Sequence, residues 1–330
     1  MKLSGHTIHK IAIFRALQLG DLLCAVPAVR ALRAAYPQAE ITLLGLPWAK
    51  SLPERFPEYF DGFVHFPGYP GLPEQPVNPA AFTEFLQQMQ QQHLDLALQM
   101  QGNGTFVNPM MELLGAKHTA GFCVPQDYCP GDLFLEYPNG GSEIERHLAL
   151  MHHLDIPPAG TGLEFPLTEK DRAEVLQLNL AIEDRKYMCI HPGSRGDWRQ
   201  WPPPYFAALG DYCATQGMNV LITGTKEERS ITASVVRHMK QPAVDLTGKT
   251  SLGAVGYLIS RAFALISNCT GVSHIASACK TPSIVISMDG EPGRWGPLDK
   301  SLHTTIDWTQ HPSYDLVFRE TVRLFDRHRP

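Results

Sequence analysis

The chain has 330 residues, 44% of them hydrophobic and 18% charged, with a net charge of −5. That length predicts two domains, and that composition predicts an ample core and excludes a disordered chain. The acidic balance argues against a nucleic-acid binder, which needs a basic face, and no apolar run nears the ~20 residues that span a bilayer.

The N-terminus, Met1-Lys2-Leu3-Ser4-Gly5-His6, lacks the apolar stretch of a signal peptide and points to the cytoplasm. Seven cysteines, at 24, 123, 129, 189, 213, 269 and 279, form no C-x-x-C pair and leave one over. This fits reduced, mostly buried thiols better than a disulfide frame or a zinc site. Neither His152-His153 nor His6 and His9 have the i, i+4 spacing that sets two imidazoles on one helix face, so no metal is expected.

Lys10 to Ala16 reads as a strand, and Gln18-Leu19-Gly20-Asp21 turns into a helix whose Leu22, Ala25, Val26, Val29 and Leu32 recur at helical spacing. Pro27 should kink that helix or tighten its first turns. Ala39 to Gly45 is a second strand, completing a right-handed parallel unit. A third strand follows over 60–66, then a loop rich in Pro and Gly, then a helix capped by Asn78-Pro79 and running to about Gln92. Leu94 to Met100 is another strand, ending in the flexible turn Gln101-Gly102-Asn103-Gly104. Ser142 with Glu145 forms a capping box for a helix to Leu154. The run 157–162 (PPAGTG) is the best boundary, giving domains of 1–160 and 161–330.

The second half repeats the alternation. Tyr187 to His191 is a strand, Gly193-Ser194-Arg195 lies in the following loop, and 203–216 is a helix closed by Gly217. Val220 to Thr223 is a strand, with Gly224 to Glu228 opening a helix; a short strand at 243–246 and a helix at 252–260 follow. Ala262 to Ile266 is a buried strand that delivers the turn Ser267-Asn268-Cys269-Thr270-Gly271 to a helix over 272–279, and 283–287 is the last strand. The segment 314–327 is an amphipathic closing helix, expected to pack within its own half or back on the first. Two α/β halves imply two Rossmann-like sheets with a cleft between them and ligands beyond the carboxyl ends of the strands.

The turn at 267–271 is a seat for a phosphate: unpaired N–H groups and the positive end of the dipole face outward. Thr270, Ser273 and His274 are placed there as donors, though Thr270 serves equally as a plain N-cap. Asp21 reads as an N-cap or as a general base at the cleft floor; the helix dipole should keep it ionised and lower its basicity. Arg195 and Arg199 suit a diphosphate or a solvated surface. Glu227 or Glu228 suits ribose hydroxyls or a first helical turn. The loop 291–297 (EPGRWGP) adds Arg294 and an indole face. No G-x-G-x-x-G follows the first strand and no P-loop occurs, which disfavours dehydrogenases and P-loop NTPases.

Taken together, KIAIFRALQLGDLLCAVPAVRALRAAYPQAEITLL, CIHPGSRGDWRQWPPPYFAALGD, LTGKTSLGAVGYLISRAFALISNCTGVSHIASACKTPSIVIS and EPGRWGPL resemble glycosyltransferase family 9, the ADP-heptose:lipopolysaccharide heptosyltransferases. The resemblance spans nearly the whole chain and accounts for Pro27. It implies an α/β GT-B fold, with an acceptor-binding N-terminal domain and a donor-binding C-terminal domain. The implied reaction is an inverting, metal-independent transfer with no cofactor, in which a nucleotide-diphosphate sugar, ADP-heptose or a relative, is the co-substrate. Asp21 is then the base. Ser194, Arg199, Thr223, Gly224, Glu228, Cys269, Thr270, Gly271 and His274 meet the donor, with Arg199 in place of a family lysine. Gly20, Gln101 and Arg294 add donor or acceptor contacts.

Cys269 stands where the family carries Asp, and a thiol cannot accept from sugar hydroxyls as a carboxylate does. That departure bears on the donor sugar and admits a non-catalytic sugar-nucleotide or glycan binder, or a GT-B epimerase, as other readings. The acceptor is expected to be a glycolipid or glycan met at most peripherally on the cytoplasmic face of the inner membrane. Arg15, Arg30, Arg33, Lys50 and Arg55 are the scattered cations of that half.

Overall fold

A computed structural model describes Leu3 and residues 6–328; most of the segment read above for a leader (Met1, Lys2, Ser4 and Gly5) lies outside the described residues. The chain divides into two compact units, Met1–Gly162 and Leu163–Pro330.

In the first unit the order is β1 (Lys10–Phe14), α1 (Leu19–Ala35), β2 (Glu40–Gly45), α2 (Leu52–Arg55), β3 (Gly62–His65), α3 (Pro79–Gln91), β4 (Leu96–Gln99), α4 (Val107–Glu112), β5 (His118–Cys123), β6 (Phe134–Glu136) and α5 (Glu143–His153). The second unit runs α6 (Glu169–Gln177), β7 (Tyr187–His191), α7 (Pro203–Thr215), β8 (Asn219–Ile222), α8 (Arg229–His238), β9 (Val244–Asp245), α9 (Leu252–Arg261), β10 (Ala264–Asn268), α10 (Gly271–Ala278), β11 (Ser283–Ser287), α11 (Pro292–Trp295), β12 (His303–Asp307) and α12 (Tyr314–His328).

Each unit holds one six-stranded parallel sheet, in the orders β3-β2-β1-β4-β5-β6 and β9-β8-β7-β10-β11-β12. The two orders are the same permutation, so each sheet reverses direction of winding beside its first strand. There the loops after β1 and β4, and after β7 and β10, diverge and leave a crevice. Strands such as β4, β7, β10 and β11 are buried at every position, as expected of a parallel sheet covered on both faces.

α1 buries Leu22, Leu23, Ala25, Val26, Ala28, Val29 and Leu32 and continues unbroken through Pro27 to Ala35. Packing of this helix offsets the ~3 kcal/mol a mid-helix proline costs. The helix expected to open at Gly224 starts instead at Arg229, with Glu228 as its N-cap residue. Sequence patterning missed β5, β6 and β12. β5 (HTAGFC) opens on polar and small residues, β6 has only three residues, and β12 (HTTID) lacks an apolar run.

The closing helix α12 packs into the core of its own unit. Val317, Leu324 and Phe325 join Trp201, Phe206 and Ile286 in one core, and Tyr314 stacks on Trp201. The expectation of reduced, mostly buried cysteines holds for Cys24, Cys189, Cys213, Cys269 and Cys279, and is corrected for one pair. Cys123 at the end of β5 and Cys129 in the next loop form a disulfide, their Cα atoms 5.2 Å apart. The six-residue spacing carried no signal, since the pairing depends on the loop folding back on the strand end.

Candidate functional site

In the first unit, α1 begins right after β1, so Gly20 and Asp21 fall in its first turn beside the crevice. Gln18 and Asp21 form a capping box in which the Gln18 amide donates to Asp21 Oδ2, 3.3 Å. Asp21 therefore caps, but from the third helical position, and its side chain keeps 24% of its exposure. Arg15, read above as one of the scattered cations, is fully buried. It donates from Nε to the Asp21 carbonyl at 2.8 Å, from Nη1 to the Met100 carbonyl and from Nη2 to Glu143 Oε1 at 3.2 Å. Arg30 donates to the carbonyls of Ala159 and Gly162, and Arg33 to Ala39, Tyr59 and Asp61, so these two also serve the fold. Gln101, just past β4, accepts from the Ala16 amide at 2.7 Å and ties the two loops of the crevice together.

The expected depression of Asp21 by the helix dipole is reversed. Burial raises its pKa, Arg15 opposes that, and Glu143 adds to it. A carboxylate with a raised pKa and a partly open face has the attributes of a general base.

In the second unit the loop after β7 is held by Asn268 at the end of β10. Asn268 Oδ1 accepts from the Trp201 amide at 2.9 Å, and Nδ2 donates to the Pro192 carbonyl at 2.7 Å. Ser194 is buried in that loop, its carbonyl accepting from Gln200 at 3.0 Å. Arg199 forms an ion pair with Asp289, which follows β11 and also accepts from Ser287 Oγ at 2.7 Å. That pair joins the loops after β7 and β11, and Cys269 lies in the turn of the strand between them. Burial pushes the Cys269 thiol up to about 12, and Asp289 adds to that, so it is a neutral filler.

Thr270 is the N-cap residue of α10, yet its side chain makes no capping bond. Ser273, expected as an anion donor, turns inward and donates to the Thr270 carbonyl at 2.7 Å. His274 is buried in the same first turns.

Thr223 and Gly224 follow β8 directly, and Glu228 folds back towards them, accepting from the Thr225 amide at 2.7 Å. His191, which the sequence reading passed over, lies with Nδ1 3.0 Å from Thr223 Oγ1 and Nε2 3.6 Å from Glu228 Oε2. A neutral ring protonated on Nε2 suits both contacts, and burial lowers the His191 pKa, with Glu228 opposing. Any side chain at Gly193 would overlap the Glu228 carboxyl group, so glycine is required for this close approach. Of the alternatives Glu227 and Glu228, it is Glu228 that joins the cluster; Glu227 is solvent-facing.

Arg294, on α11, pairs with Glu291 and lies over the Trp295 ring at 4.5 Å. Sequence reasoning missed Glu143, His191 and Asp289, and it named Asn268 in its turn without the bracing role; their partners lie up to 128 positions away. Only His191, a lone histidine in the apolar run YMCIH, carried a local signal. Among the described residues, no three His, Cys, Asp or Glu side chains gather as a metal site.

Two doubly wound α/β units, each with a polar switch point, give this chain the GT-B fold. The chain belongs to glycosyltransferase family 9 (heptosyltransferase), whose family model matches residues 82–317. It is 23% identical over 310 residues to lipooligosaccharide heptosyltransferase 2 of Haemophilus ducreyi, covering 88% of this chain and 86% of that one. To lipopolysaccharide heptosyltransferase 2 of Escherichia coli it is 22% identical over 304 residues, covering 88% and 85%. Among solved structures, the glycosyltransferase family 9 protein of Veillonella parvula superimposes with a TM-score of 0.81 at 17% identity, over 99% of both chains. E. coli ADP-heptose lipopolysaccharide heptosyltransferase II does so with 0.76 at 18%, over 98% of this chain and all of that one. An E. coli heptosyltransferase solved with ADP gives 0.69 at 16%, over 96% and 99%.

Proposed function

We propose that this glycosyltransferase moves a heptose or related sugar from a nucleotide-diphosphate donor, ADP-linked, to a lipopolysaccharide-core or similar glycan acceptor, with inversion and without a metal. The observation that carries the chemistry is Asp21: a carboxylate at the switch point of the first sheet, partly open and raised in pKa by burial. In this reading the first unit holds the acceptor. Asp21 takes the proton of the attacking hydroxyl as the new bond forms at the anomeric carbon and the bond to the diphosphate breaks.

The second unit holds the donor. Negative charge grows on the leaving diphosphate, and the N–H groups and hydroxyl at Thr270 and Gly271, with Arg199, are the groups to meet it. Arg199 then exchanges Asp289 for a phosphate. Glu228, steadied by His191, accepts from ribose hydroxyls. The ADP and heptose assignments draw on the family and on E. coli relatives solved with ADP and with ADP-2-deoxy-2-fluoro heptose. Cys269 supplies no acceptor, so selection of the donor sugar falls to its neighbours. Contact with the inner membrane is peripheral in this proposal; no described helix is long and apolar enough to cross one.

The test is transfer from ADP-heptose to heptose-deficient lipopolysaccharide, followed by NMR of the product's anomeric centre. Inverted product, with kcat lowered about 10²–10⁴-fold in Asp21→Asn while donor binding persists, is the expected result. Retained configuration, or full activity in Asp21→Asn, would overturn the mechanism.

A further inference from the structure

Behind Asp21 lies a closed set of buried charges that no capping or packing argument requires. The three nitrogens of Arg15 are all engaged, by the Asp21 carbonyl, the Met100 carbonyl and Glu143 Oε1. The Asp21 carboxylate itself is left at 3.9 Å from Nη2, within reach of the charge but outside hydrogen-bond distance. Glu143, the first residue of α5 and 3% exposed, grips Arg15 with Oε1 and accepts from Arg146 Nη1 with Oε2 at 3.2 Å. His147 Nε2 stands 3.4 Å from the same Oε1. Arg15 from the end of β1 and Glu143 from α5 are thus the charges acting on Asp21, with Arg146 and His147 behind Glu143.

If Arg15 lacked Glu143, its charge would act on Asp21 unopposed, and the carboxylate would stay ionised but become a poor proton acceptor. We propose that Glu143 is a positioning residue: it holds Arg15 by Nη2, offsets its charge, and so keeps the Asp21 carboxylate fit to take a proton. The direction of each influence agrees, since Arg15 lowers the Asp21 pKa and Glu143 raises it. His147 contributes no charge near neutrality, because burial drives it down to about 4. The consequence for rate rests on the reading of Asp21 as the base; the consequence for Asp21 itself does not.

The experiment is a carboxyl-carbon NMR titration of the full chain labelled at aspartate, with the Asp21 signal assigned through Asp21→Asn. In Glu143→Gln, which keeps the shape and removes the charge, the Asp21 midpoint should fall by about one pH unit. In Arg146→Gln, which leaves Glu143 less neutralised, it should rise. A midpoint unmoved in Glu143→Gln overturns the proposal, and if that variant does not fold, an unmoved midpoint in Arg146→Gln does so. The acid limb of the pH–rate profile is read alongside. A limb that shifts with the NMR midpoint supports both ideas. An NMR shift with a stationary limb leaves the positioning role standing and removes Asp21 as the base.

Discussion

In both units an amide at or just past the end of the fourth strand crosses the switch point to the loop after the first. Gln101 accepts from Ala16 in one, and Asn268 grips Trp201 and Pro192 in the other. What lies around the braces differs. Beside the first brace are a full charge, Arg15, and two carboxylates; beside the second the loop backbone is held by neutral contacts and closed by an ion pair at its rim. The turn proposed to meet substrate also moves, from the helix after the first strand (α1) to the helix after the fourth (α10). In the function proposed above, one sheet order supports two chemistries. Buried charge adjusts the proton affinity of a carboxylate, whereas a neutral, glycine-lined loop leaves N–H groups and cations for an anion.

The largest effect is expected from acid, and in both units. Burial holds His147 in the first unit and His303 in the second at about 4, well below the unfolded value near 6.5. Below 6.5 the unfolded chain binds protons that the folded chain refuses, so stability is full above that pH and falls as pH drops from 6.5 towards 4. His147, fully enclosed, accounts for about 3 kcal/mol of this, and His303 for less. Urea titrations at pH 7 and pH 5, read by hydrogen exchange in each unit, should show both units weakening, because His191 is also lowered by burial and adds to His303 in the second. No loss in either unit would overturn this account of the buried histidines.

The braces come next. Asn268→Ala strands the Trp201 amide and the Pro192 carbonyl and should cost about 2–4 kcal/mol. Gln101→Ala strands only the Ala16 amide and should cost about 1–2 kcal/mol, with chemical denaturation as the measurement for both. The reverse ranking would mean that the charges around Arg15 lean on Gln101 more than its single bond suggests.

The smallest effect is expected at the donor side. Gly193→Ala displaces the Glu228 carboxyl group, so nucleotide-sugar affinity measured by calorimetry should fall about tenfold, or about 1.4 kcal/mol. Urea stability should change little, because the displaced group is the far end of a side chain.

Much of this was legible in the chain itself. Apolar runs marked nine of the twelve strands among the described residues, and the cap residues Asn78 and Ser142 stand at the helix starts. Asp21 and the Asn268-Cys269-Thr270-Gly271 turn stood out because each follows a buried strand and opens a helix, a relation confined to a few consecutive residues. The disulfide, the inward turn of Ser273 and the reversal of the Asp21 pKa did not stand out. Each depends on what the rest of the chain brings alongside.

From local periodicity and turn chemistry alone, the sequence determined two α/β halves, their parallel strands, and which turns carry polar residues to the strand ends. Those signals act over one turn of helix or one strand, and a single chain displays them directly. Only the tertiary structure decided that Arg15 is buried with Glu143, that Asn268 laces its loop, that His191 backs Glu228 and that Asp289 faces Arg199. These pairs are 128, 67, 37 and 90 residues apart. Electrostatics and burial depend on distance in space, and sequence separation does not report it.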